Sequence, residues 1–395
     1  MSVTTTQADV IIIGAGPAGS TLAIRLAAGG LRVLLIDKKK FPREKVCGEF
    51  LNPRGVTLLE ELGLKEAIEA HSPEIVLGQK IHSYNGAVMQ GLYGKKNGLA
   101  LQRPLFDETL LRCAKQKEKI EVWEGTHVTQ IELPSSESIR VQGTNDNGEP
   151  FQAEGALLVG ADGVQSFVAK QRGLQGKKNR APKYALATRY SGVAHDHCGE
   201  MFLTPYGYIG LAPLGENSVG VSAVVKQPIS HRLAGNLQER FEEILSTAPK
   251  LRERLQVGKQ ICPVLATGWH PRYFKKIIAP RTLLVGDAAC FIDPFTGEGM
   301  SLALLGSKIA AQAILKKKTL LGYQILFYKT FFLIIVRCLL LQKFLYRAQI
   351  MNRAVRYLSR KKHLSNRLVE LFSFPSGLWG ALQKKRSLCR GGCEL

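Results

Sequence analysis

The sequence predicts an α/β chain, α+β overall: a parallel, doubly wound domain interrupted by antiparallel β-sheet and followed by a C-terminal helical region. Three observations predict it. A glycine turn between a short apolar strand and a helix opens the chain at Asp9–Gly19. Two further apolar strands, Leu157–Val159 and Thr282–Val285, each end in a Gly/Asp turn far downstream. Around them lie short segments with the alternation and turn signals of antiparallel strands. Strands alternating with helices argue a parallel sheet, and two late returns to it argue that the β-rich segments are inserted, not appended.

The first unit, about residues 8–37, reads as βαβ. Asp9-Val10-Ile11-Ile12-Ile13 is the strand and Gly14-Ala15-Gly16-Pro17-Ala18-Gly19 a GxGxxG turn. The next apolar run, Val33–Ile36, ends in Asp37. In this context the pattern is a Rossmann-like dinucleotide fingerprint, with Gly14 for the tight turn, Gly16 for pyrophosphate approach and Gly19 for helix–strand packing. The phosphates are expected at the positive N-terminus of the helix that Pro17 starts, and a ribose hydroxyl at Asp37. GxGxxG alone also describes a bare glycine turn. Strand, helix and acid in register decide for the dinucleotide, without distinguishing NAD from FAD.

A loop bearing Cys47 follows, then a helix from about 52 to 70, a strand pair over 76–101 and a helix over 103–116. Strands around 120–133 and a hairpin over 139–153, turning through Asn145-Asp146-Asn147-Gly148, lead to a strand at 156–160. From 182 to 226 the pattern is β-rich, with strands at 185–193, 200–204, 208–213 and 218–225. A helix at 230–246 carries Phe241, Ile244 and Leu245 on its apolar side. The dinucleotide domain thus comprises 1–72, 102–180 and 276–316, the β-rich domain 73–101 and 181–275, and the basic helical region 317–395. No internal repeat is visible.

The downstream turns bear on which dinucleotide is bound. They are Gly160-Ala161-Asp162-Gly163 and Gly286-Asp287-Ala288-Ala289, the second followed by Pro294-Phe295-Thr296-Gly297-Glu298-Gly299 and a helix. In order and spacing, from about residue 8 to about residue 316, these segments resemble the FAD-dependent monooxygenase and reductase superfamily that includes p-hydroxybenzoate hydroxylase and the geranylgeranyl reductases. The resemblance implies FAD as cofactor. Asp162 and Gly163 would lie by the pyrophosphate, Gly286 and Asp287 at the flavin ribose, and the Pro294, Gly297, Gly299 and Met300 stretch along the isoalloxazine ring. It also implies an oxidoreductase in which NAD(P)H docks transiently as reductant, because there is no second GxGxxG fold. Phe41–Pro53 resembles the family's PRxKxCG loop, which would turn Arg43 to the diphosphate and set Cys47 and Gly48 around the cofactor, with Lys38 beside Asp37 also at the cofactor. Arg103–Leu110 resembles the RxxFDxxL helix whose arginine reaches the cofactor. Read without the resemblance, Arg103 and Asp107 are a helix start with a surface i,i+4 pair.

The substrate side is carried by Pro205–Leu214, which resembles the prenyl reductases' YxWxFP strand but has Gly210 for the Trp and Ala212 for the Phe. Tyr208 and Pro213 match. The wider pocket favours a monooxygenase on a hydrophobic substrate (aromatic, polyketide, quinone or isoprenoid) over a geranylgeranyl-reductase-like C=C reductase. A flavin-free prenyl- or lipid-binding escort protein is a third reading, and the retained Asp162 and Asp287 turns argue against it. Candidate catalytic groups are Cys47, a thiol near the ring that reads more readily as packing, Tyr208, and Glu298, either a base or a solvent-facing turn residue. The histidines show no spacing for a metal or a triad.

The chain has 395 residues, 45% of them hydrophobic, enough for two or three modules around a substantial core. Its eight cysteines are scattered apart from Cys389 and Cys393, which suits neither zinc nor a disulfide framework. The N-terminus runs directly into the first strand, and Cys393 stands one position too late for prenylation, so a cytoplasmic protein is expected, as a monomer or weak oligomer. The net charge of +22 is uneven: from Lys308 to the end, eighteen Lys and Arg face two acids, Glu370 and Glu394, a net +16. Such asymmetry implies an anionic surface. With no nucleic-acid module and with basic residues interleaved by apolar runs, the expected partner is a membrane, on its inner face. Leu320–Arg347 is nearly apolar but carries Lys329, Arg337, Lys343 and Arg347, which leaves no uncharged run of the 18–20 residues or so that a span needs. At about 100° per residue these cations share an arc of roughly 120°, with Phe327, Phe331, Ile334, Cys338, Leu341 and Leu345 opposite. Two arrangements fit: an interfacial helix inserting Phe327, Phe331 and Leu345 into lipid, or a helix packed on the dinucleotide domain by that same side.

Overall fold

The computed structural model describes residues 5–176, 182–226, 236–270, 273 and 275–373. Thr5–Ile13 is the central strand of an eight-stranded sheet, parallel to Val33–Ile36 on one side and to Pro150–Gly160 on the other. Ile120–Trp123 and Thr282–Leu284 extend the parallel core outward. Its strands are unbroken apolar runs, and Ile11, Ile12, Leu34 and Leu35 are fully buried, as a sheet covered on both faces requires. The Pro17–Ala28 helix packs between Arg103–Lys115 and Gly299–Leu315. Because the strands are parallel, the turns at Gly14, Asp37, Gly160 and Gly286 gather at their carboxyl ends, where ligands of open α/β sheets bind.

The second sheet also has eight strands, with Lys183–Ser191, Ser218–Lys226, Gly207–Pro213 and Cys198–Thr204 pairing in antiparallel succession. Gly78–His82 joins it parallel to Cys198–Thr204, with Val88–Leu92 at the edge. The segment read as one strand pair over 76–101 therefore divides between two sheets. Glu74–Val76 and Gly98–Ala100 instead form a small three-stranded sheet with Phe50–Leu51.

Four local differences follow. The helix expected over 52–70 is two, Pro53–Glu60 and Lys65–Glu69. Gly63, at φ +69°, lets the chain turn left-handed while its N–H bonds Glu60 O and Leu64 N bonds Leu59 O. The hairpin return and the strand at 156–160 are one eleven-residue strand, Pro150–Gly160, because Gly155 at the junction is paired on both sides, with Ala8 and with Ile139. The helix expected from 230 is described from Leu237, behind an Asn236/Glu239 capping box, and 230–235 lie outside the described residues. Pro249–Gln256 and Leu265–Trp269, a helix and a strand, were not anticipated.

Three helices follow: Leu320–Leu345, Ala348–Ser359 and Lys362–Ser373; residues 374–395, with Cys389 and Cys393, lie outside the described residues. Leu320–Leu345 is long and apolar enough to cross a membrane by length and composition, but one side of it is part of the protein core. Phe327 is 1% and Phe331 3% exposed, their rings stacked at 4.2 Å. Tyr323 Oη donates to Leu284 O at 2.6 Å, tying the helix to the parallel sheet. The expectation that Phe327, Phe331 and Leu345 insert into lipid is thereby corrected. They are buried against the body, Phe327 and Phe331 in the core of the dinucleotide domain and Leu345 in that of the β-rich domain, because both offer that side an apolar partner that water does not. Further along, Leu345, Met351, Val355 and Val369 pack with Met89, Tyr93 and Tyr208 of the second sheet, so the helical region bridges both domains.

Candidate functional site

The two domains and the C-terminal helices enclose a cavity of about 990 Å³. Of the residues expected to hold the cofactor, all line it except Ala15, Gly19 and Gly286. Those three shape the cradle from behind. Ala15 N donates to Asp37 Oδ2 at 2.8 Å, fixing the acid at the first turn. A Cβ on Gly19 would meet Gly14 O at 1.8 Å, and one on Gly286 would meet Ala18 Cβ at 2.9 Å. Gly14 itself sits at φ +105°, with Ala161 O 2.5 Å from where its Cβ would be. These contacts bring all three glycine turns together, and each excludes a side chain.

The cradle fits a dinucleotide. The Pro17–Ala28 helix begins at Gly16 with no side-chain cap and no acid in its first turn, so its N–H groups remain available to an anion. Among the described residues only Arg43 Nη2, 3.4 Å away, borders the space a Gly16 Cβ would fill, which places a guanidinium beside that helix end. Asp37 takes N–H bonds from Ala15 and Lys39 on separate oxygens and keeps lone pairs for a ribose hydroxyl. Asp162 Oδ2 accepts from Val168 N, while its Oδ1 is buried without a partner. Burial raises the Asp162 carboxyl above its usual range. Burial also raises Asp287, against the pull of Lys45 and Arg103, and burial lowers the Lys45 ammonium against the pull of Asp287. Arg43, Lys45 and Arg103 together form a cationic flank for phosphate.

Arg103 pairs with Asp107 in two bonds of 2.9 and 2.7 Å, as the i,i+4 spacing expects. The pair is buried, not at the surface, and Arg43 Nη1 shares Asp107 at 3.3 Å. Cys47 is a free thiol at the cavity wall, accepting from Glu49 N at 3.3 Å. Its loop is clamped by ions that the sequence did not signal. Arg189 on the second sheet bonds both Glu44 and Glu49, and Glu49 Oε1 accepts from Arg103 N. Arg189 thereby bolts the Cys47 loop to the β-rich domain.

Glu298 does not line the cavity, which corrects its reading as a base. It is 1% exposed and ion-paired with buried Arg54 at 3.4 Å. Cys338 Sγ on the first C-terminal helix donates to Glu298 Oε2 at 3.5 Å, and burial raises the Glu298 carboxyl. Glu298 therefore ties the Pro294–Gly299 loop to the helical region. Tyr208 does line the cavity, edge-on to Phe295 at 5.2 Å. Its hydroxyl donates to Asp293 Oδ1 at 2.5 Å, and burial and Asp293 raise its pKa well above the usual value. Asp293, absent from the sequence reading, also pairs with buried Lys183. Elsewhere, Glu74, His195 and His197 come together at a surface that spacing did not reveal. There His197 Nδ1 and Glu74 Oε1 lie 2.5 Å apart, and His195 Nε2 bonds Gly215 O.

The cavity has two limbs. One is the polar cradle. The other is the apolar part of the lining, contributed by Gly210, Ala212 and Met201 of the second sheet and by Leu341, Met351 and Val355 of the C-terminal helices.

Comparison with known proteins agrees with this geometry. Residues 7–315 match the family model described as an FAD binding domain. The chain is 28% identical over 320 residues to a tryptophan 2-halogenase of Chondromyces crocatus, covering 77% of this chain and about 60% of that protein's length. It is 30% identical over 329 residues to the digeranylgeranylglycerophospholipid reductase of Methanococcus vannielii, covering 78% of each. The structure of a flavin-dependent brominase superposes with a TM-score of 0.76 at 21% identity, over 90% of this chain and 94% of that one.

Proposed function

The chain belongs to this FAD-binding-domain family and is an FAD-dependent oxidoreductase, and from that premise we propose that it is a monooxygenase acting on a hydrophobic substrate held in the apolar limb. When bound, FAD supplies the two-electron chemistry, taking reducing equivalents from NAD(P)H and delivering them to oxygen. The chain's own residues bind, orient and exclude water. Arg43 and the Gly16 helix end would hold the diphosphate, Asp37 and Asp287 the ribose hydroxyls, and the Pro294–Gly299 loop the ring edge. Leu341, Met351 and Val355 line the far side with apolar surface, and excluding water there strengthens polar interactions inside.

The observation that carries this reading is the missing bulk in the Gly207–Pro213 strand. Gly210 and Ala212 both line the cavity where the resembling reductases carry Trp and Phe. Room beside the ring suits a bulky or aromatic substrate together with oxygen. Tyr208, its hydroxyl committed to Asp293, is a wall with a fixed polar edge rather than a free acid. The test uses yellow, FAD-loaded protein reduced by NADPH under nitrogen, then given isotopically labelled dioxygen and a long-chain alkylphenol as probe. Labelled oxygen in the phenol is expected. Oxidation of the flavin with hydrogen peroxide as the sole product, for this and for quinone and polyprenyl probes, overturns the reading.

A second reading rests on a different observation. Relatives at 30% identity that align over 78% of their length are reductases of an isoprenoid lipid, and Cys47 stands at the cavity wall. Under it, a polyprenyl C=C bond is saturated under nitrogen by the reduced protein, and Cys47→Ala slows that step without changing the flavin spectrum.

A further inference from the structure

The Leu320–Leu345 helix has an outer side that the core does not use. At about 100° per residue, Leu321, Ile325, Leu333, Leu340 and Phe344 fall in one arc, and all five are exposed. Lys329 and Lys343 share that arc. A contiguous exposed apolar stripe on a folded protein marks an interaction site. Charge identifies the partner. From Gly299 to Val369 the chain has fourteen Lys and Arg and no Asp or Glu. An anionic bilayer meets both features at once, with acyl chains for the stripe and headgroups for the cations. The cavity adds a third observation. Phe344 and Ile350 flank the turn between the first two C-terminal helices, and both are exposed while also lining the cavity.

We propose that this outer face seats the protein on an anionic lipid bilayer, with the apolar limb of the cavity opening toward the acyl chains. The inserting residues are those opposite to Phe327 and Phe331. The purpose of the opening rests on the substrate reading above; the docking itself does not.

The experiment uses full-length, FAD-loaded protein and vesicles of phosphatidylcholine alone or mixed with phosphatidylglycerol. Wild type should sediment with the anionic vesicles and much less with the neutral ones, and release should grow with salt. The Lys329→Gln/Lys343→Gln protein should bind anionic vesicles about thirty-fold more weakly, at about 1 kcal/mol for each lost cation, with its flavin spectrum unchanged. Tryptophans introduced singly as Leu333→Trp and Phe344→Trp should both be quenched by lipids brominated on the acyl chain. Absence of wild-type binding to either vesicle, or an unquenched Leu333→Trp, overturns the docking. Quenching at Leu333→Trp with none at Phe344→Trp overturns the opening toward lipid. A concentration-dependent dimer that shields Leu333→Trp from iodide, with no vesicle binding, assigns the face to a second copy and overturns the proposal. A failure to incorporate oxygen would leave every one of these readouts unchanged, so the two proposals fail separately.

Discussion

The cofactor cradle and the Leu320–Leu345 helix face each other across one cavity, yet they hold their positions by different means. In the cradle the backbone decides. Gly14, Gly19 and Gly286 exclude side chains, and Asp37 is oriented by the N–H groups of Ala15 and Lys39. In the helix, side chains decide. Phe327, Phe331 and Ile334 fill a core while Ile325 and Leu333, of similar hydrophobicity, face outward. The difference teaches that a backbone-built site can be recognised from residue type and spacing, whereas a helix of nearly uniform hydrophobicity takes its inside and outside from what it packs against.

The comparison can be broken most severely inside the helix. Phe327→Ala should cost about 3–5 kcal/mol of stability by leaving a cavity in the shared core, seen as an earlier urea midpoint. A loss under about 1 kcal/mol would mean the helix is an attachment rather than part of the body. Next comes the cofactor. At FAD a hundred-fold above its Kd, loading should add about 2.7 kcal/mol, and calorimetry should show apo protein melting earlier. Asp287→Ala should weaken FAD by about 1.5–3 kcal/mol, or roughly 10–150-fold, through loss of a charge-assisted bond, read by flavin fluorescence on titration. Because burial holds the Asp287 carboxyl above its usual range, wild-type FAD affinity should begin to fall, as pH is lowered, earlier than an ordinary carboxylate would allow. Asp287→Ala should flatten that dependence. The smallest effect is expected at Leu333→Ser, within about 0.5 kcal/mol, although it removes an apolar residue from the same helix as Phe327.

Much of the cradle was legible because its physics is local: a strand, a glycine turn, a helix start and an acid are all visible within thirty residues or so. The strands of the second sheet were also legible, at their turns and alternation. What was not legible depends on partners remote in sequence. Nothing near Arg189 announces Glu44 and Glu49, and nothing near Asp293 announces Lys183. Glu298 read as either a base or a solvent-facing turn residue because it stands between two loop glycines; Gly297 and Gly299 do line the cavity, but its own side chain is buried and turns to Arg54. The helical pattern of 320–347 was readable, but which side met the core was not, since both sides are rich in Leu, Ile and Phe.

The parallel pairing of Thr5–Ile13 with Pro150–Gly160, and of that strand with Thr282–Leu284, bears on the order of events during synthesis. The cradle is assembled from three pieces of chain separated by more than a hundred residues each, so the early glycine turn leaves the ribosome long before its partners exist. Closing such long loops is slow, and it leaves strand edges exposed meanwhile. The Thr5–Ile13 strand must wait unpaired on one side until Pro150–Gly160 is made, and the Leu158–Gly160 end of that strand must wait for Thr282–Leu284 while the 183–269 strands are made. FAD can be captured only after Asp287 has emerged, which makes cofactor uptake a late step and the nascent chain dependent on protection until then.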